Sequence, residues 1–294
     1  MTSAGATEAN CWSLFVQDIR RATQPPPSDN LEAVPDASRR RAACIFGAMP
    51  VADPTLTVLF WSALAAGAAS IGVLPLLWRP HPPPLWIGWA NALAAGLMLG
   101  AAYTLLAAGL DGDAVSLSVG ALLGAVFVAA THIAAGTEDL DLNRLDARAP
   151  EYGYQVFLVN SLHSASEGVA IGVAMHLSLP FGIFLAAAMA VHNIPEATVF
   201  SAIVTARGVR LPSAAGLSVA TNVSQMLMAV ATFAVLGAAP AMLPWTAGFA
   251  VGALIYLVMV ELLPESYHQA GATTIGLVTV LAMGVVVLLG GFGR

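Results

Sequence analysis

The chain contains no lysine: all 11 of its basic residues are arginine. Charge of either sign is scarce, at 10% of residues, where soluble domains carry about 25%. That shortage excludes an ordinary soluble domain, and no basic patch points to nucleic acid as a partner. Cysteine is nearly absent as well. Cys11 and Cys44 are the whole complement and both lie near the N-terminus, so there is no disulfide framework and no thiolate ligand within the apolar part of the chain. The first 50 residues are polar and hold no apolar core of signal-peptide length. No His-Glu-x-x-His occurs, which removes the commonest helical signature of a zinc hydrolase.

What is present is overwhelmingly apolar: 58% of residues are hydrophobic and the mean hydropathy is +0.78. The fold class expected is all-α, a polytopic membrane protein. Residues 1–53 read as a polar, disordered tail, with Pro25-Pro26-Pro27 and Arg39-Arg40-Arg41 in it. Residues 54–294 read as one domain of eight transmembrane helices, at about 55–78, 85–109, 114–135, 153–176, 180–206, 211–237, 241–264 and 272–292. Each is near the ~20 residues that a bilayer requires. The connections are short and rich in Pro or Gly, apart from an acidic loop over about 137–152 that reads as solvated surface.

Arginine sets the orientation. The loops after spans one, three and five carry Arg79, Arg144, Arg148, Arg207 and Arg210, whereas those after spans two, four and six carry none. The positive-inside rule puts the odd loops in the cytoplasm and both termini outside, against the local vote of Arg39, Arg40 and Arg41. The membrane expected is a bacterial inner membrane.

Two spans carry chemistry. Span four contains His163-Ser164-Ala165-Ser166-Glu167-Gly168, and span five contains His192-Asn193-Ile194-Pro195-Glu196. In both, a Glu follows a His by four residues, which on a helix puts the two side chains on one face about one turn apart. A carboxylate at the centre of a membrane span costs roughly 2.5–3.5 kcal/mol on insertion scales. Two of them, each beside an imidazole, fit a divalent metal, which such ligands neutralise and coordinate. Pro195 has no amide hydrogen, so it frees the carbonyl of Val191 and favours a kink beside the second pair. Span six adds the polar band Thr221-Asn222-Val223-Ser224-Gln225, which reads equally as interhelical glue or as site, and span two adds Met98. His132 and His176 sit near span ends and read as interfacial, while Glu261 in span seven is deep enough to line an exit.

The two His/Glu stretches resemble the fourth- and fifth-helix signatures of the ZIP (Zrt/Irt-like) metal transporters. The resemblance extends over the eight spans and includes Val260-Glu261-Leu262-Leu263-Pro264-Glu265. It implies eight helices, termini outside, and a site between helices four and five with contributions from helices two and six. Carried onto matching positions, the ligands are His163, Glu167, His192, Asn193 and Glu196, with Met98 as a candidate and Gln225 at the aligned position in span six. Four departures stand out: Ser164 replaces a common Asn, Gln225 a common Glu, Ala197 a common Gly, and the loop after span three lacks the family's common His-rich cluster. The first two weaken a second metal position, so one bound ion is expected.

The function expected is carriage of a divalent metal, zinc foremost, toward the cytoplasm. Zinc is then the transported substrate and there is no cofactor. The partners are divalent ions and the lipid bilayer, not nucleic acid, and a homodimer is allowed. The protein is not read as an enzyme. The rivals weighed are an intramembrane metal-dependent hydrolase and a metal-binding sensor that does not transport.

Overall fold

A computed structural model describes residues 53–109, 113–135 and 151–292. The expected tail up to residue 52, both cysteines, and the acidic loop up to residue 150 lie outside them. Among the described residues, eight helices are long and apolar enough to cross a membrane. They are α1 (Pro54–Trp78), α2 (Pro84–Gly109), α3 (Ala114–Ala134), α4 (Tyr154–Leu177), α5 (Leu179–Ala206), α6 (Leu211–Ala238), α7 (Pro240–Ala270) and α8 (Ala272–Gly290).

Local chemistry explains the ends. Asp53 caps α1 by accepting the amide of Thr55 at 2.9 Å, and Pro54 fills the first position, where no amide hydrogen is needed. Within α1 the helix tightens to a 3₁₀ turn over Ala69–Val73, where Gly72 lies against the Ile194 carbonyl of α5. The end of α7 differs from expectation, because the helix continues through Pro264 to Ala270. The reason is a π-helical turn at Val258–Leu262. The next segment begins afresh at Leu263, so Pro264 sits in a first turn, where its missing amide costs nothing. Gly271 then ends the helix with φ 75°, a conformation that side chains other than glycine resist.

The helices pack in two groups. In one, α4 lies along α6, and α1 packs on both α5 and α6; in the other, α3 lies along α7, and α2 packs on both α7 and α8. The groups meet where α2 touches α5 and where α7 and α3 touch α4. Buried aliphatic side chains such as Met98, Ile171, Leu185 and Leu254 fill this junction. By contrast α3 and α8 are mostly exposed, as helices facing lipid are.

The close approach of α4 to α6 positions the polar residues of both helices. Any Cβ on Gly168 would collide with the backbone carbonyl of Gln225. Small residues let membrane helices come this near, and polar pairs then hold them. Asn160 Nδ2 donates to Thr221 Oγ1 at 3.2 Å, Ser164 Oγ to Asn222 Oδ1 at 3.4 Å, and Ser224 Oγ to the Ser161 carbonyl at 2.6 Å. Most of the polar band of α6 is therefore interhelical glue. Gly168→Ala should destabilise the protein by roughly 1–3 kcal/mol, the usual range for overpacking. Thermal unfolding in detergent reads this as a lowered midpoint, and an unchanged midpoint would contradict the close α4–α6 contact.

Candidate metal centre

The helix positions bring Glu167 of α4 and His192 and Glu196 of α5 together, with one ligand atom from each inside a 4.8 Å group. His192 Nε2 is 3.2 Å from Glu167 Oε1 and 3.3 Å from Glu196 Oε2. On its other edge, His192 Nδ1 is 3.1 Å from the backbone carbonyl of Ala94 in α2. A carbonyl only accepts, so Nδ1 carries a hydrogen, and in the neutral ring Nε2 then turns its lone pair toward both carboxylates. A lone pair flanked by two carboxylate oxygens is repulsive unless positive charge, a proton or a metal ion, stands among them.

Two amides complete the arrangement. Asn193 Nδ2 donates to the Ala65 carbonyl of α1 and to Gln225 Oε1, each at 2.9 Å, and Gln225 Nε2 donates to Glu167 Oε2 at 2.8 Å. The Ala65 carbonyl fixes the direction of these bonds, because only an amide nitrogen can face it. Gln225 must therefore present its own nitrogen to Glu167. Asn193 Oδ1 is left without a donor in a side chain that is fully buried, and Glu196 Oε2 is in the same condition. Glu196 Oε2 is within ion-pair range of His192 yet not aligned for a hydrogen bond. Buried acceptors without donors cost about 1–3 kcal/mol each.

A second group forms one turn away. His163 Nε2 is 3.1 Å from His132 Nε2 of α3, His132 Nε2 is 3.2 Å from Glu261 Oε2 of α7, and His163 Nδ1 is 3.5 Å from the same oxygen. Glu261 sits within the π-helical turn of α7, a local geometry frequent at functional sites. The α4 pair thus divides, Glu167 facing α5 and His163 facing α3 and α7. Residues at i and i+4 share a face but stand about 6 Å apart along the axis, enough to meet different neighbours. His132 is buried, not interfacial as its place near the end of a span suggested. The signal that could have found it is Glu261: only four carboxylates occur in the eight spans, and each needs a partner.

The remaining candidates take distinct places. Met98 is fully buried in α2, one helical turn beyond Ala94. Ser164 is fully buried and engaged with Asn222 on the α4–α6 contact.

An eight-helix membrane bundle with buried imidazole–carboxylate groups between its helices defines a metal-handling membrane protein. Comparison with known proteins agrees. The family model described as ZIP Zinc transporter matches residues 131–293. A protein of Arabidopsis thaliana, provisionally named a zinc transporter, is 30% identical over 225 residues, which cover 74% of this chain and 36% of that protein. The chain thus spans about a third of the length of that relative. The chain belongs to the ZIP family, whose members are transporters and not enzymes.

Asn193→Ala should remove both the orphaned oxygen and the bond that orients Gln225. Groups of this kind typically contribute 10- to 100-fold in metal affinity. Calorimetric titration with zinc should read a loss in that range, and parental affinity would mean that the amide chain does not serve the site.

Proposed function

We propose that the chain carries a divalent metal ion, zinc foremost, across a membrane through the group formed by Glu167, His192 and Glu196. The observation that carries this reading is convergence: two carboxylates and an imidazole, each with one ligand atom inside a 4.8 Å group, beside a buried Asn193 oxygen that has no donor. A divalent cation satisfies the three convergent ligands at once, with two negative charges balancing two positive. Imidazole and carboxylate suit zinc, as well as iron(II) and manganese.

Gln225 favours one ion at this group. Its amide donates to Glu167 Oε2, so that oxygen is engaged, and among the described residues no third carboxylate joins the group to hold a second cation. Gln225→Glu would set two carboxylates against each other and invite a second ion. Calorimetry should find one zinc at this group in the parent and a stoichiometry moving toward two in Gln225→Glu. An unchanged stoichiometry would contradict the role assigned to Gln225.

The group formed by His132, His163 and Glu261 is a second station on the same route. His163 lies nearer than Glu167 to the N-terminal end of α4, so this station is displaced toward the side of the arginine-bearing loops. The positive-inside rule makes that side cytoplasmic, with both termini outside. Metal then passes from the Glu167 group to the His163 group and on to the cytoplasm. Having two imidazoles and only one carboxylate, the second group leaves one positive charge of the ion uncompensated, which favours its onward release.

Uptake of radioactive zinc into proteoliposomes tests the function. The parent should accumulate zinc, and Glu167→Ala and Glu196→Ala should lose uptake while the protein remains folded and inserted. Parental flux in Glu167→Ala would overturn the assignment of the site.

A further inference from the structure

We propose that the chain holds an anionic phospholipid of the cytoplasmic leaflet at the junction of the α1–α2 loop with the ends of α5 and α7. Arg79 follows directly on the last residue of α1, and its guanidinium carbon lies 5.2 Å from the ring centroid of Trp86 in α2. Among the described residues no carboxylate pairs with Arg79. An arginine stacked on tryptophan, with no carboxylate beside it among the described residues, is oriented for an anion.

A cavity of about 190 Å³ begins at Pro80, the residue that follows Arg79. Its walls are the loop residues Pro80, His81 and Pro82, with Ile87 of α2, Ala202 of α5 and Gln269 of α7. The lining is mainly apolar, as a glycerol backbone and upper acyl chain require. Its polar exceptions are His81 and Gln269, the latter held by its nitrogen donating to Glu265 Oε1 at 2.6 Å. Arg79 at the cavity's mouth would take the phosphate. Trp78 is 85% exposed and Leu77 60% exposed beside this site. Exposed tryptophan and leucine at a helix end mark the level of the membrane interface.

The occupant is therefore a phospholipid with a net negative headgroup, phosphatidylglycerol being the simplest. This rests on the orientation proposed above, which puts Arg79 on the cytoplasmic side, where anionic lipid meets basic residues at helix ends. The place is consequential as well, because α5 belongs to one helix group and α2 and α7 to the other.

Native mass spectrometry of the full chain in mild detergent, offered phosphatidylglycerol or phosphatidylcholine of matched chain length, tests the site. The parent should retain phosphatidylglycerol in preference to phosphatidylcholine. Arg79→Gln should reduce that retention about fivefold, the effect of one surface arginine. Ala202→Phe, which fills the cavity without touching charge, should reduce it as well. Zinc affinity, measured alongside, should be parental in both variants, because neither residue belongs to the metal groups. Equal retention of both lipids by the parent, or parental retention in both variants, would overturn the proposal, as would a loss of zinc affinity that accompanies every loss of lipid.

Discussion

The constraint on which the structure depends is the energy of a carboxylate inside a membrane. Glu167 and Glu196 each lie in a span with almost no other charge, and the first is fully buried. Left alone, each would cost several kcal/mol. The surroundings offset that in steps. Gln225 donates to one oxygen of Glu167, and His192 faces the other oxygen together with Glu196. Backbone carbonyls then hold the helpers: Ala94 fixes His192 and Ala65 fixes Asn193. Side chains from three helices and carbonyls from two more are thereby committed to one point. The close α4–α6 contact that Gly168 permits is what lets Gln225 reach Glu167 at all.

Much of this was legible in the sequence, for identifiable reasons. The spans were legible because hydrocarbon demands long apolar runs, and the helices match them closely. Glu167, His192 and Glu196 were legible because a four-residue spacing fixes a shared helix face. Gln225 was legible only through alignment with the family signature, since a glutamine in a polar band reads equally as glue.

The rest was hidden where the information is not in side-chain identity. Ala94 and Ala65 act through their carbonyls, which every residue has. The π-helical turn that carries Glu261 depends on how α7 packs, and Pro264 alone reads as a stop. His132 was hidden because position along a span does not reveal what a neighbouring helix presents. The division of His163 from Glu167 needed the crossing of α3, α5 and α7 against α4, which spacing along one helix cannot supply.

At the centre of this picture is the proposal that Glu167, His192 and Glu196 form the primary metal group and the imidazole-rich group a secondary one. X-ray absorption at the zinc edge, with less than one equivalent of zinc bound, tests that ranking most directly. The expected first shell is one imidazole nitrogen with carboxylate and amide oxygens at about 2.0–2.2 Å, and Glu167→Ala should lose it. A first shell with two imidazoles, unchanged in Glu167→Ala, would mean that zinc loads first between His132 and His163, and would contradict the ranking.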